Sequence, residues 1–210
     1  MSKGEGHVII ALSREYGSGG REIGAKLADR LGIRKYDDNI VELAAKRSGI
    51  KESYFTKVDE KPTDSFLYML AMNTLSMGSA VNPYDNTLSS DKLFNIQSEV
   101  ITEIAQREDC VFVGRCAGYI LRNEPNLVTI YLTADESFKL PRIMEREKCD
   151  EKEALRSMKR VDKKRESYYG YYAGEDWKAC ATYDLVIDTG KLGIDRSVDL
   201  IETYLKMRFG

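Results

Sequence analysis

The sequence predicts an α/β fold, a five-stranded parallel sheet with helices on both faces. Three observations lead there. Short apolar runs rich in β-branched residues recur at His7–Leu12, Ile33–Tyr36, Cys110–Val113, Leu127–Leu132 and Val186–Asp188. Such runs carry no polar alternation, as strands buried on both faces require. Segments with helical spacing lie between them, and that alternation implies right-handed crossovers and parallel strands. Finally, the first run empties into Gly17-Ser18-Gly19-Gly20, and a helix leaves that loop.

The elements follow in order. His7–Leu12 is the first strand and Ser13–Gly20 the loop. Arg21–Leu31 carries Ile23, Leu27, Ala28 and Leu31 on one helical face and closes at Gly32, a C′ glycine. Ile33–Tyr36 is the second strand. Asp37, Asp38 or Asn39 then caps a helix over Ile40–Lys46. Lys51–Lys61 is charged and fits no single element. Phe66–Leu75 reads as a helix, and Ser76–Ser90, with Gly78 and Pro83, as a surface loop. The spacing of Ile96, Val100, Ile101 and Ile104 predicts a helix over Leu93–Gln106. The third and fourth strands follow. Ser137–Tyr168 is a long charged helical region broken near Cys149-Asp150, and Ile194–Met207 is a final amphipathic helix.

Length and composition bound the function. The 210 residues fit one domain, 1–210, with 42% hydrophobic and 31% charged residues. Lys and Arg number 32 against 34 Asp and Glu, a net charge of −2 that gives no global pull toward nucleic acid or an anionic membrane. No apolar run approaches the ~20 residues of a membrane span, and the polar start Met1–Gly6 is no signal peptide. The expectation is a cytoplasmic protein. Cys110, Cys116, Cys149 and Cys180, at gaps of 6, 33 and 31, form no Cys-x-x-Cys pair. With His7 the single histidine, a protein-held zinc site and His-based nucleophilic catalysis are both disfavoured. His7 opens an apolar run and reads as a structural residue at a strand edge.

The glycine loop carries the chemistry. Three glycines in four positions let backbone N–H groups turn inward, and the helix N-terminus adds its dipole. Together they form a nest for a phosphate chain. The candidate nucleotide-contacting residues are Ser13, Gly17, Ser18, Gly19, Gly20, Arg21 and Glu22. Against the consensus Gly-x-x-x-x-Gly-Lys-[Ser/Thr], Gly20 matches the second glycine and Arg21 stands for the lysine. Glu15 falls at the first glycine, and Glu22 or Ile23 falls where the magnesium-binding hydroxyl would be.

Four landmarks resemble the cytidylate kinase-like family of P-loop nucleoside monophosphate kinases. They are Ser13–Gly24, the strand end Gly32–Asp37, the segment Val113-Gly114-Arg115-Cys116, and the stretch from Tyr131–Ala134 through Asp162-x-x-Arg165 to Asp184–Asp188. The resemblance covers nearly the full length. It implies the three-layer P-loop kinase fold with a helical lid near residues 138–172 and an acceptor-side helical region near 38–107. It implies ATP and Mg2+ as cofactors and a nucleoside monophosphate, CMP or dCMP, as acceptor. Arg21, Arg115, Arg160 and Arg165 become the catalytic candidates. Asp37, Arg115, Cys116, Arg160, Asp162 and Arg165 become the acceptor-binding ones. Cys116 stands where cytidylate kinases carry an aspartate that contacts the nucleotide.

The residues themselves suit phosphoryl transfer, which needs positioning and charge neutralisation more than covalent help. Arg115 lies just past a strand's C-terminal end, where open α/β sheets bind ligands. Arg142 and Arg146 share one helix face, and Arg156, Arg160 and Lys164 form a second stripe. An ionised acceptor phosphate needs no base, in keeping with the lack of base candidates. Tyr168, Tyr169, Tyr171 and Tyr172 fit lid packing or a homo-oligomer contact better than base stacking. Met69, Met72 and Met77 near Tyr68 read as core. Cys116 motivates a P-loop kinase for a different small acceptor. The missing loop lysine and hydroxyl motivate a nucleotide-binding regulatory module with little turnover. Nucleic-acid binding is the weakest reading.

Overall fold

The computed structural model describes residues 6–49 and 90–210. Five parallel strands are ordered β2-β3-β1-β4-β5. They are β1 (Ile9–Arg14), β2 (Arg34–Tyr36), β3 (Cys110–Val113), β4 (Leu127–Thr133) and β5 (Leu185–Asp188). The helices are α1 (Gly20–Leu31), α2 (Asn39–Ser48), α3 (Ser90–Ala105), α4 (Ala117–Ile120), α5 (Glu136–Glu147), α6 (Glu151–Ala173), α7 (Thr189–Leu192) and α8 (Ile194–Phe209). The expected α/β class and five-stranded parallel sheet are both present. The expected elements at Lys51–Lys61, Phe66–Leu75 and Ser76–Ser90, and the methionines among them, lie outside the described residues, apart from Ser90, which opens α3.

β1 sits at the centre of the sheet and explains the absence of alternation. Ile10 and Leu12 join Val111, Val113, Val128, Ile130 and Leu132 under α1 and α8, whose Ile23, Leu27, Val198 and Ile201 complete that layer. Ile9 and Ala11 join Cys110, Phe112 and Leu127 on the opposite face with α2, α3 and α4. Every apolar side chain of the strand is therefore buried, whichever way it points. Full burial of each such Leu or Ile contributes about 1.5–3 kcal/mol. α1 lies close on the sheet because Gly24 has no side chain; a Cβ there would sit 2.8 Å from Val113 Cγ2.

β1 runs two residues past the apolar stretch, and starts two residues later than expected. Its register continues through Ser13↔Tyr131 and Arg14↔Leu132, so the neighbouring strand extends it beyond what side-chain polarity shows. The charged helical region breaks where expected. α5 ends at Lys148 in the left-handed conformation (φ +53), and Asp150 caps α6 by accepting from the Glu153 N–H at 2.8 Å. α4 and α7, four residues each, are too short for periodicity and had no counterpart in the sequence reading. α7 follows β5 directly. Its first residue, Thr189, is fully buried, and its hydroxyl lies 2.8 Å from Ser18 O and 3.0 Å from Thr133 O.

Candidate functional site

The C-terminal ends of β1, β3 and β4 open on one side of the sheet, and the glycine loop fills the space above them. Gly17 (φ +87) and Gly19 (φ +85) both adopt the left-handed region, which glycine enters without steric cost. The turn delivers α1 with its N-terminus uncapped: Gly19 supplies no side-chain acceptor to the first-turn N–H groups. Those donors, with the helix dipole behind them, face an open cleft and suit an anion. Ser18 is buried and holds the turn, its hydroxyl donating to Glu15 O at 2.8 Å.

The cleft has a volume of about 580 Å3, within the usual range for small-molecule sites. Arg14, Arg21, Arg142, Arg146 and Arg165 line it with Gly17, Gly19 and Gly20, against the carboxylates Glu15, Glu22 and Glu145. Cations thus outnumber anions, as a polyphosphate requires. A crevice of about 20 Å3 adjoins it, room for about one water. Arg14 and Arg165 line both, and the small pocket adds Ser13, Arg115, Cys116 and the rings of Tyr168, Tyr169 and Trp177.

α5 and α6 lie over the loop and are knit to it. Lys139 of α5 pairs with Glu15 at 2.7 Å, both nearly buried. Burial pushes the Glu15 carboxyl up, but Lys139 and the Thr133 hydroxyl outweigh it and hold Glu15 below the ordinary glutamate range. Arg142 pairs with Glu22 at 2.7 Å. Tyr16 is clasped from both helices: the Arg146 guanidinium lies 4.1 Å from its ring centre and its hydroxyl meets Glu147. From α6, Asp162 Oδ1 accepts the Tyr16 N–H at 2.7 Å, and Arg165 donates to Arg14 O at 3.0 Å. Burial raises the Asp162 carboxyl above its ordinary value despite the Tyr16 N–H and Arg165. Gly17 allows this closeness, since a Cβ there would sit 2.9 Å from Lys139 O.

The β3 end is strained. Gly114, Arg115 and Cys116 are left-handed in succession, at φ +82, +63 and +55. For the two non-glycine residues this costs roughly 1–2 kcal/mol each, and such strain concentrates at functional sites. The turn folds Arg115 back into the protein, where it is only 4% exposed. Its Nη2 lies 3.2 Å from Asp38 Oδ1. Arg21 takes the other side of the same carboxylate, Nη2 to Asp38 Oδ2 at 2.6 Å, with its Nε 3.2 Å from Asp37 Oδ2. Asp37 is buried, and its Oδ1 has no hydrogen-bond partner among the described residues.

The sequence-predicted residues thus separate into groups. Gly17, Gly19, Gly20, Arg21, Glu22 and Arg165 line the main cleft. Arg115, Cys116 and Ser13 line the small pocket, and Ser13 also faces a third cavity on the opposite side with Thr129 and Tyr183. Asp37 sits behind Arg21. Asp162 is engaged with the loop backbone. Arg160 is exposed, its guanidinium 3.2 Å from Ser157 Oγ, and lines neither pocket. Sequence reasoning missed Arg14, Glu15, Tyr16 and Lys139 as site residues. Strand parity could have flagged Arg14, which shares a face with Ile10 and Leu12.

The metal question divides by donor type. Among the described residues no group of three His, Cys, Asp or Glu side chains could hold an ion. Likewise, no described helix is long and apolar enough to cross a membrane.

A family model described as the cytidylate kinase-like family matches residues 9–191. The chain is similar to a cytidylate kinase of Methanopyrus kandleri, 26% identical over 94% of this chain and 93% of that protein. In solved structures it is similar to an uncharacterized protein from Eubacterium ventriosum, with TM-score 0.70 and 29% identity over 95% of this chain and 99% of that one. It also resembles shikimate kinase from Bacteroides thetaiotaomicron, with TM-score 0.54 and 14% identity over 95% and 98% of the two chains, a likeness of fold alone.

Proposed function

As the chain belongs to the cytidylate kinase-like family, we propose that this phosphotransferase moves the terminal phosphoryl group of ATP to a nucleoside monophosphate, with CMP or dCMP as acceptor. One observation carries the reading: an arginine-lined cleft over a left-handed glycine loop adjoins a second pocket containing a buried arginine. A donor polyphosphate would find cations in the cleft, and an acceptor phosphate would meet Arg115 once the 20 Å3 crevice widens, with Arg14 and Arg165 common to both.

The roles follow from position. Gly17, Gly19 and Gly20 give backbone donors to the donor phosphates. Arg165, fixed by the Arg14 carbonyl, and Arg115, fixed by Asp38, flank the acceptor side. Planar guanidinium forks suit phosphate bidentately. Arg21 ties the glycine loop to Asp37 and Asp38, so donor loop and acceptor strand end move together. Asp162 sets the loop through Tyr16. Arg160 would join only after α6 shifts. α5 and α6 exclude water from the reacting phosphates, which strengthens every charge interaction there.

Magnesium coordination by a kinase needs one or two protein oxygens beside the phosphates and waters. Glu22, on the cleft wall where the consensus hydroxyl would stand, would offer a carboxylate of that type once released from its 2.7 Å pair with Arg142. The ion would neutralise charge on the phosphates.

The test is ADP formation from Mg-ATP with CMP, dCMP, UMP, AMP and GMP offered separately. Turnover with CMP or dCMP is expected. Silence across all five, with ATP still bound, would refute the acceptor assignment. A second reading rests on Cys116. It is buried among Tyr131, Tyr168, Tyr169 and Trp177, so that position offers no carboxylate to a base. This favours a different small acceptor, and a preference for an acceptor outside the panel would establish it.

A further inference from the structure

The buried Arg14 guanidinium does not behave like a strand-end arginine. The residue is only 7% exposed, and so long a charged side chain is seldom buried this far. Two glycines make room for it. A Cβ on Gly20 would lie 2.7 Å from Arg14 Cβ and Cγ, and a Cβ on Gly114 would collide with the guanidinium itself. Gly20 begins α1 and Gly114 follows β3, so the slot is assembled from both walls of the site. Its occupant lines the main cleft and the small pocket at once. Arg165 fixes the Arg14 backbone from α6. Meanwhile Arg21, at the position where the consensus loop carries its lysine, is turned toward Asp37 and Asp38 and is largely exposed.

We propose that Arg14 is a catalytic residue, the cation that contacts the phosphoryl group in transit between the donor cleft and the acceptor pocket. The inference rests on the kinase reading above. In that reaction an acceptor phosphate oxygen bonds to the terminal phosphorus of ATP. The bond from that phosphorus to the bridging oxygen breaks, and ADP leaves with the electron pair. Arg14 forms and breaks no covalent bond. Held at the junction of the two pockets, it meets the terminal phosphate in ATP and the spread charge of the transition state. ADP lacks that phosphate, so Arg14 discriminates between the two nucleotides.

The experiment compares Mg-ATP and Mg-ADP affinity by calorimetry in the wild type, Arg14→Gln, Arg14→Lys, Gly20→Ala and Arg21→Gln, with turnover measured alongside. The wild type should prefer ATP. Arg14→Gln should lose about 10- to 100-fold in ATP affinity, the scale of a charge-assisted contact, with ADP affinity within about threefold of wild type. Its kcat should fall at least about 100-fold. Arg14→Lys should fall between. Gly20→Ala, which displaces Arg14 while keeping its charge, should narrow the ATP preference, whereas Arg21→Gln should preserve it. Equal losses for ATP and ADP, or an unchanged ATP preference in Arg14→Gln, would overturn the proposal. If Arg14→Gln does not fold, Arg14→Lys and Gly20→Ala decide by the same comparison. A wild type without turnover on any acceptor would defeat the functional reading, while the ATP-to-ADP comparison would still decide the role of Arg14.

Discussion

Replacing Glu15 by glutamine tests whether the glycine loop is fastened to the helices above it. The side chains of Glu15 and Lys139 are 10% and 9% exposed, and their charged atoms lie 2.7 Å apart. Lys178, the other cation near Glu15, is half-exposed at 3.7 Å, so solvent screens it and it adds little. Glutamine keeps the shape and an acceptor for Thr133 but leaves the Lys139 ammonium without its counter-charge. Breaking a buried pair on one side costs about 3–5 kcal/mol. For a chain of this size that lowers Tm by about 6–20 °C. Thermal and urea unfolding followed by circular dichroism read the loss. The double variant Glu15→Met with Lys139→Met removes both charges and should recover at least half of it, because an apolar pair of similar volume replaces two desolvated ions. The acid side gives a second readout. Glu15 titrates below its ordinary 4.5 in the folded protein, so its stabilisation is fully present above that value. It is lost as the pH falls through the lower, folded-state value, and that slope should be missing in Glu15→Gln. A single-variant loss under about 1 kcal/mol would place the pair in the class of solvent-screened surface bridges and refute the fastening.

Other outcomes follow from the same geometry. Gly19→Ala forces a side chain into φ +85 and against Ile194 Cδ1, so ATP affinity should drop at least about tenfold and stability by about 1–3 kcal/mol, measured by calorimetry and melting. Arg115→Ala should cut kcat by about 100-fold or more with ATP affinity nearly intact, while the exposed Arg160→Ala should change it less than about tenfold; steady-state kinetics rank the two. Asp162 has the opposite pH sign to Glu15. Burial raises its folded value above 3.8, so it costs stability as the pH climbs from there through the raised value. Asp162→Asn, which still accepts the Tyr16 N–H, should flatten that part of the stability profile.

How much of this was legible in the sequence depends on what kind of force set each feature. β3 was found to the residue because its four side chains are all apolar and fully buried, and polarity reports burial directly. Gly32 announced the end of α1 for a backbone reason, its φ of +64. By contrast, Ser13 and Arg14 belong to β1 only through pairing with Tyr131 and Leu132, a contact over a hundred residues away. Treating them as loop concealed their parity. Ser13 therefore looked like a phosphate ligand although it stands outside the main cleft, and Arg14 went unnoticed. Arg21 lines the cleft, but its capture by Asp37 and Asp38 is a competition between partners that spacing does not encode. Lys139 reads as one more charge on a polar helix. Its burial comes from Glu15, which the linear sequence gives no reason to place beside it. Arg142 and Arg146 were legible as one helix face, and that face does meet the glycine loop.

The hydroxyl of Thr189 has one proton and two carbonyls within reach, Ser18 O at 2.8 Å and Thr133 O at 3.0 Å. One proton cannot serve both at full strength. At any moment one carbonyl is bound well and the other poorly, and a small rotation of the hydroxyl exchanges them. Ser18 belongs to the glycine loop and Thr133 to the end of β4, so the joint between them is a two-position catch rather than a bolt. The position of the glycine loop is thereby tied to the end of β4 through one buried hydroxyl.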